Sequence, residues 1–209
     1  TNQVLDFLEN EFSRTYSSQD RINILQDIGA TRTVEAAKLL EKLSRNSHIN
    51  NNSSEASALY EALGNTRTDY AVSALQRLYN DNWNNSHLRQ FIIHALGNTR
   101  SPQAVAALDH IYKDNWSNQE LKQRTIEALG LTRQADAVEV LQRIYKDNWS
   151  NSQLKEDTIR AFGQTRSPQA AEVLKDLYEE NWNNSSTRRT ILESLGYTRS
   201  GSAIEFLKR

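Results

Sequence analysis

Apolar residues recur along the chain at the three- and four-residue spacing of amphipathic helices, and short polar stretches separate these segments. In the first segment Val4, Leu5, Phe7, Leu8 and Phe12 define one apolar stripe, as in a helix with one buried face. The pattern therefore indicates an all-α protein built from helix pairs. We predict helices over residues 4–12, 21–28, 34–43, 55–63, 71–79, 88–96, 104–112, 121–129, 137–145, 154–162, 170–178, 187–195 and 203–207.

The polar stretch after every second helix has a fixed period. Glycines stand 35 and then four times 33 residues apart, and each is followed two and three positions later by Thr and Arg. The glycines are Gly29, Gly64, Gly97, Gly130, Gly163 and Gly196, and the arginines are Arg32, Arg67, Arg100, Arg133, Arg166 and Arg199. A period of this length indicates a solenoid in which each helix pair packs against its neighbours.

We therefore expect a single repeat domain over residues 1–209, an α-solenoid that winds as a right-handed superhelix. Stacked pairs roughly 9–10 Å apart would give six pairs a length on the order of 55 Å. The connector 44–54, rich in Asn and Ser, is the longest within a unit, and we expect it to be mobile. The units are six helix pairs and part of a seventh, at approximately residues 1–29, 33–64, 68–97, 101–130, 134–163, 167–196 and 200–209.

Two short motifs predict where helices end and begin. Glycine directly after a helix adopts the left-handed conformation without strain, so we expect each repeat glycine to terminate its helix. Ser101 and Ser167 each precede a proline, which predicts an N-cap followed by Pro at the first helical position.

The motif Asn-Trp-Ser/Asn-Asn precedes the second helix of four units, with Trp83, Trp116, Trp149 and Trp182. Ser117 and Glu120 have the spacing of a capping box, and Trp116 with Leu121 has the spacing of a hydrophobic staple. We therefore expect the four tryptophans to be structural residues that bury area. The alternative is an aromatic stripe for sugars or peptides.

The run 88–108 resembles HEAT repeats, and specifically the short HEAT-like repeats of the phycobilisome-lyase type. Their usual junction reads A-L-G-x-[IL]-G-D-P-R-A-V-x-x-L, which this chain matches at residues 95–97, at Pro102 and at residues 104–108. The chain differs at Thr99, Arg100, Ser101 and Gln103, where the family has an aliphatic residue, Gly, Asp and Arg. The resemblance extends over essentially the whole chain and implies the fold. It implies little about activity, because such repeats occur in binding scaffolds, adaptor subunits and a few enzymes.

Charge and composition narrow the functional classes. The 25 basic and 26 acidic residues give a net charge of -1, which disfavours binding to nucleic acid or an anionic membrane. No apolar run approaches the roughly 20 residues of a transmembrane helix, and the absence of cysteine excludes disulfides and thiolate metal sites. The compartment is not indicated: it is cytoplasmic, or periplasmic or extracellular after removal of a signal peptide. A start at Thr1 and a helical pattern reaching Arg209 are expected of a piece of a longer protein.

The six Thr-Arg pairs allow two interpretations. One is a ladder of guanidinium groups that receives a polyanion or an acidic partner segment. The other is structural, because each Arg follows a helix C-terminus, where it can bond free carbonyls and complement the helix dipole. A residue present in every unit usually belongs to the packing of that unit, which favours the structural interpretation.

Patterns of catalytic or metal-binding chemistry are absent from the sequence. His87 and His94 share one helix face but lack an evident third ligand, so we expect no metal site there. There is no phosphate-binding glycine loop, no nucleophile elbow and no recognisable catalytic set. We expect a non-catalytic protein without a cofactor. The alternatives are a HEAT-like lyase- or hydrolase-type enzyme or enzyme subunit and, less favoured, a nucleic-acid binder.

Function is expected where the repeats differ. The resemblance implies that the second helix of each pair lines a concave side, and its outward positions change from aromatic and His-bearing to basic along the chain. We predict that this surface binds a protein or peptide partner, with a hot spot around Phe91, His94 and Arg124. The sequence indicates no oligomeric state. The full set of candidate partner-binding residues is His87, Gln90, Phe91, His94, Arg124, Glu127, Arg160 and Arg189.

Overall fold

The computed structural model describes residues 2–208, with Asn2 described through its backbone alone. These residues form two compact units, which fall within residues 1–104 and 105–209. Between residues 2 and 208 the chain folds into fourteen α-helices and no β-strand. The prediction of one continuous domain over residues 1–209 stays a prediction.

The first unit contains three helix pairs, in which we call the first helix the A helix and the second the B helix. The A helices bury one apolar stripe, and the B helices are buried more deeply. The helices are α1 (Asn2–Arg14), α2 (Ser18–Ala30), α3 (Val34–Leu43), α4 (Ser47–Asn51), α5 (Ser53–Asn65), α6 (Asp69–Asp81), α7 (Ser86–Asn98) and the first residues of α8 (Pro102–Asp114). Of these, α2, α5 and α7 are B helices.

The second unit begins inside α8 and repeats the same order. Its further helices are α9 (Gln119–Leu131), α10 (Asp136–Asp147), α11 (Ser152–Thr165), α12 (Pro168–Glu180), α13 (Ser185–Thr198) and α14 (Gly201–Leu207). The B helices are α9, α11 and α13, and α14 opens a further pair. The alternation of A and B helices confirms the all-α solenoid fold. The predicted helix through Arg209 concerns a residue outside the described part, and α14 ends at Leu207.

The connector 44–54 is not irregular throughout. Its middle forms the short helix α4, because the Asn46 side chain caps this turn at the amide of His48. Ile49 is fully buried, and Asn50 Nδ2 donates to the Ser44 carbonyl at 2.8 Å. The residues of this connector are therefore packed against the rest of the unit.

The expectation that the repeat glycines terminate their helices in a left-handed conformation is wrong. No described glycine has a positive φ, and Gly163 lies inside α11. Gly29, Gly64, Gly130 and Gly163 instead lie where one B helix closely approaches the backbone of the next. A Cβ on Gly163 would lie 2.6 Å from the Ser194 carbonyl oxygen, and one on Gly130 would lie 2.8 Å from that of Ala161. The B helices pack this tightly because these positions carry no side chain.

The left-handed residue that follows each B helix is the arginine. All six repeat arginines have φ between 51° and 55°. The preceding threonine is buried in the regular units, and its hydroxyl donates to the carbonyl three residues earlier, as Thr165 does to Phe162 at 2.7 Å. The Arg166 amide donates to the Gly163 carbonyl at 3.3 Å. The Thr-Arg pair therefore satisfies the free carbonyls of the helix end.

The predicted capping box is wrong by one position. The N-caps of α7, α9, α11 and α13 are asparagines, and in α9 the Asn118 Oδ1 accepts from the Leu121 amide at 3.1 Å. Ser117 therefore precedes the cap. The N-caps predicted for the proline-containing helices are confirmed, since Ser101 and Ser167 each accept from the amide two residues later.

The hydrophobic staple is also wrong. The side chains of Trp83, Trp116, Trp149 and Trp182 are 74–80% exposed, so they contribute little to the core. With the N-cap one residue later than predicted, each Trp lies two residues before the cap, outside the staple position.

Candidate partner-binding surface

The B helices within each unit pack directly on one another, more extensively than the A helices do. This packing buries one side of every B helix and leaves the outward positions in a row that crosses the unit. The sequence-predicted residues lie on these helices: His87, Gln90, Phe91 and His94 on α7, Arg124 and Glu127 on α9, Arg160 on α11, and Arg189 on α13. We call the outward face of these helices the B-helix surface.

In the second unit this surface contains a groove of about 410 Å³ between α9 and α11. The structure brings the predicted residues Arg124, Glu127 and Arg160 together there. The remaining residues that line the groove are Glu120, Gln123, Asp157, Ala161 and Gln164. Charged and amide groups therefore form most of its walls.

The charges in the groove are paired along and across the helices. Arg160 reaches Glu156 at 2.6 Å and Asp157 at 3.4 Å, and Arg124 reaches Glu127 at 3.3 Å. Gln123 donates to Asp157 at 3.0 Å and so links α9 to α11. The arginine side chains remain about half exposed, at 50% for Arg124 and 52% for Arg160. Both stay accessible to a partner.

Arg189 is not part of this groove. It pairs with Glu193 one turn further along α13, at 3.1 Å, and its side chain is 83% exposed. Arg189 is therefore an exposed residue of α13 that does not line the groove between α9 and α11.

In the first unit, Phe91 lines a shallow hollow of about 440 Å³ across α2, α5 and α7. Its ring is half-buried and meets the His87 ring edge-on, with 4.7 Å between the ring centroids. The other residues around the hollow include Ile22, Ser57 and Glu61. Phe91 thus offers one partly open aromatic face in polar surroundings.

The two predicted histidines of α7 lie in different surroundings. His87 Nε2 lies 2.6 Å from the Ser53 hydroxyl. His94, further along α7, is exposed. Gln90, between them, is half-buried. Between residues 2 and 208 no cluster of three or more His, Asp or Glu side chains is arranged to hold a metal ion. Hydrogen bonding and packing account for His87.

Sequence reasoning missed Gln164. Its Oε1 is buried, accepts no hydrogen bond from the described residues and lies 2.9 Å from where a Cβ on Gly130 would be. Gln164 follows a repeat glycine, at a position that is Asn98 and Leu131 in the two preceding units. This variation between units was the available signal. Asp157 was not predicted either, because its bond to Gln123 depends on how two repeats pack.

Comparison with known families identifies the class of protein. The family model described as HEAT repeats matches residues 37–119 and 115–196, which together cover most of the chain. The chain therefore belongs to the HEAT-repeat family. No curated protein sequence matches it significantly. Within residues 2–208 there is also no helix with the length and apolarity needed to cross a bilayer.

Proposed function

We propose that this HEAT-repeat chain is a non-catalytic scaffold that binds a protein or peptide partner on its B-helix surface. The observation that carries the proposal is the groove between α9 and α11, which gathers Arg124, Glu127 and Arg160. These positions differ from unit to unit while the packing positions repeat, as expected where a solenoid presents a binding surface.

The electrostatics of the groove support a partner with charges of both signs. Exposed ion pairs contribute only about 0–1 kcal/mol, so exchanging a protein carboxylate for one on a partner costs little. Arg124 and Arg160 each carry a planar guanidinium that can hold a partner carboxylate with two hydrogen bonds. Glu120 and Glu127 offer complementary sites for partner Lys or Arg side chains.

In the first unit, the Phe91 ring supports the proposal as a contact for an apolar side chain of the partner. Interface hot spots are commonly aromatic residues surrounded by polar contacts that exclude water. The hollow around Phe91 has this composition, with Ser57 and Glu61 on its rim. A partner side chain that covers the Phe91 ring would gain hydrophobic area without disturbing the core.

The test measures partner binding by variants of the intact chain. A partner isolated with the wild-type protein is titrated by calorimetry against Arg124→Ala, Arg160→Ala and Phe91→Ala. Each change should weaken binding at least about fivefold, a loss of about 1 kcal/mol that only a minority of interface residues exceed when truncated. Lys146→Ala, which removes an exposed cation from the A helix α10, is the matched control and should bind as the wild type does. Unchanged affinity in all three surface variants would rule the B-helix surface out.

The finer placement among phycobilisome-lyase-type repeats is part of this proposal and rests on the junction residues quoted above. The alternative function under this placement is an enzymatic role, for the chain alone or together with a second subunit. A lyase- or hydrolase-type enzyme predicts a chromophore or metal in the purified protein. An absorption spectrum and metal analysis distinguish these outcomes: a stoichiometric chromophore or metal would contradict the scaffold proposal.

A further inference from the structure

Four turns that join an A helix to a B helix share one geometry. In each, an Asn-Trp-x-Asn segment is closed by a hydrogen bond from the last amide to the first carbonyl, at 3.0 Å in all four. In the third of these turns, the first asparagine, Asn148, donates to the Ile144 carbonyl at 2.6 Å. The last, Asn151, accepts from the Leu154 amide at 3.1 Å. Both asparagines therefore stabilise the helix ends on either side of the turn.

The tryptophan is the residue of the motif whose side chain contributes little to the packing of the fold. Trp116, Trp149 and Trp182 of the second unit are 80%, 80% and 74% exposed. Within residues 2–208 no indole N–H of these residues donates a hydrogen bond to the protein. A large aromatic side chain repeated at one exposed position, where smaller polar residues would serve the turn, indicates a binding role.

A groove of about 400 Å³ runs beside Trp149 toward the next turn. Its floor includes Tyr145, whose ring is covered by the Lys155 ammonium at 4.4 Å from the centroid. The same cation–aromatic pair recurs next to the other turns of the unit, as Lys122 over Tyr112 and Arg188 over Tyr178. Trp149 therefore lines a groove together with an aromatic ring and a cation, and the same Tyr–cation pair recurs at the matching positions near Trp116 and Trp182 in the sequence.

The groove beside Trp149 offers two kinds of donor, and serine and threonine hydroxyls that both donate and accept line it as well. The indole N–H has no acceptor among residues 2–208, and the Lys155 ammonium carries three donors. Glu156, which also lines the groove, is engaged by Arg160 at 2.6 Å and by the Thr190 hydroxyl at 3.3 Å. The Asn184 Oδ1 accepts from the Thr187 amide at 3.1 Å. A matching ligand would present apolar rings to the indole and acceptors to these donors.

The spacing of the turns adds a second constraint, on the repeat length of the ligand. The B helices α9, α11 and α13 pack directly on one another, and packed helices lie about 8–10 Å apart. Because each Trp keeps the same position relative to the start of its B helix, successive tryptophans should be separated by about this distance. One turn of a polyproline II helix has three residues and rises about 9 Å.

We propose that Trp116, Trp149 and Trp182 form a docking ladder for a proline-rich segment in the polyproline II conformation, with one turn of the ligand on each Trp. Proline supplies an apolar ring and a carbonyl acceptor and has no N–H, which complements exposed indoles and cations. The polyproline II backbone makes no internal hydrogen bonds, so its carbonyls are free to accept from the indole N–H groups. The ladder lies at the turns that precede the B helices, and it meets the B-helix surface of the proposed function at the Glu156–Arg160 ion pair.

A carbohydrate is the competing ligand class for exposed tryptophans, and the spacing of the turns favours the peptide. A sugar ring presents hydroxyls that donate as well as accept. The carboxylate of Glu156 and the carboxamide oxygen of Asn184 are already engaged in the fold, as described above. Serine and threonine hydroxyls also line the groove, so the preference for the peptide rests on the match between the spacing of the turns and one turn of a polyproline II helix.

Calorimetric titration of the intact chain with synthetic oligoprolines tests the ladder. The series contains peptides of about three, six and nine residues, three for each Trp. We expect affinity to rise with each added turn. Trp149→Ala, which interrupts the ladder in its middle, should weaken binding of the longest peptide about tenfold. A Gly-Ser peptide of the same length should not bind.

Three controls distinguish binding at the ladder from binding elsewhere on the chain and from loss of the fold. Tyr16→Ala removes an aromatic side chain that is 99% exposed outside the motif and should leave oligoproline binding unchanged. Arg124→Ala, which tests the B-helix surface, should leave it unchanged as well, so failure of one proposal does not imply failure of the other. Because Trp149 is exposed, the circular dichroism and thermal midpoint of Trp149→Ala should match those of the wild type.

Several outcomes would overturn the proposal. Absence of binding by the longest oligoproline is one, and equal affinity of the wild type and Trp149→Ala is another. Binding of a chitin or cellulose oligosaccharide that depends on Trp149, in place of oligoproline binding, would assign the ladder to carbohydrate instead. An affinity that does not change with peptide length would contradict the proposal that each Trp binds one turn of the ligand.

Discussion

Six arginines hold a backbone conformation that is costly for any residue with a Cβ. The left-handed region costs a non-glycine residue roughly 1–2 kcal/mol, and each repeat arginine has φ between 51° and 55°. The helix end compensates for part of this cost, because the arginine amide and the threonine hydroxyl satisfy two carbonyls. Each Thr-Arg junction between repeats therefore retains some backbone strain at its arginine.

Substitutions at Arg166 test this strain. Arg166→Gly should raise the free energy of unfolding by up to about 1 kcal/mol, because glycine adopts this conformation freely but gains entropy in the unfolded chain. Arg166→Val should lower it, because a β-branched residue fits the left-handed region poorly. Urea unfolding followed by circular dichroism measures both changes. A destabilised glycine variant would show that the Arg166 side chain makes a compensating interaction.

Tyr60 predicts a loss of stability at high pH. Burial raises the pKa of its phenol to about 12, and its hydroxyl lies 3.4 Å from Asn50 Oδ1. The folded state holds the proton to higher pH than the unfolded chain, whose tyrosine pKa is about 10. The stabilisation is therefore complete below about pH 10 and is lost as the pH rises toward 12. At about pH 11 the expected loss is on the order of 1 kcal/mol.

Urea titrations of the wild type and Tyr60→Phe at about pH 9 and pH 11 check this assignment. The wild type should lose more stability between the two conditions than the variant, because phenylalanine keeps the buried ring and cannot ionise. Equal losses in the two proteins would assign the alkaline transition to other groups, such as Tyr112, whose pKa burial also raises.

At the residue scale, sequence reasoning placed the repeat correctly and misread single positions within it. A glycine that ends a helix and a glycine that lets two helices touch look alike in one sequence. Distinguishing them requires Ser194, which lies opposite Gly163 and 31 residues away in the chain. The exposure of Trp116 depended likewise on whether Ser117 or Asn118 caps the next helix. A shift of one residue there changes the direction of the indole.

At the scale of helices, the period of apolar residues was sufficient for the architecture. The helix pairs follow from a local pattern, and the structure extends the predicted B helices by two or three residues at each end, as at Ser86 and Asn98 of α7. The groove between α9 and α11 was predictable only in part. Arg124 and Arg160 could be placed on one face by helix geometry, but their shared groove depends on packing between repeats.

Two glycines of equal sequence context should respond oppositely to alanine. Gly163→Ala should destabilise the protein, because the added methyl group would lie 2.6 Å from the Ser194 carbonyl oxygen and force α11 and α13 apart. Gly196→Ala should stabilise it by about 0.5–1 kcal/mol, because this glycine is inside α13 with no atom within 4 Å of an added Cβ.

Thermal unfolding of the two variants under one set of conditions measures the contrast. Each serves as the control for the other, since both glycines precede the same Thr-Arg pair by one intervening residue. Stabilisation by Gly163→Ala would mean that the close approach of the B helices is not a constraint on the repeat.

At the scale of the whole chain, the repeat organisation predicts how a local defect spreads. In a solenoid, stability is approximately a sum of terms within repeats and between nearest neighbours. The two compact units, residues 1–104 and 105–209, each contain such neighbours. A substitution at one contact between B helices should therefore loosen the repeats that share it and leave more distant repeats unchanged.

Hydrogen exchange of the Gly163→Ala variant, followed by mass spectrometry, tests this locality. Amides of α11 and α13 should exchange faster than in the wild type, because these two helices meet at the altered contact. Amides of α2 and α5, in the first unit, should keep their wild-type rates. Gly196→Ala should accelerate neither group. A uniform increase from α2 to α13 would show that the chain unfolds as one cooperative body, with coupling far beyond nearest neighbours.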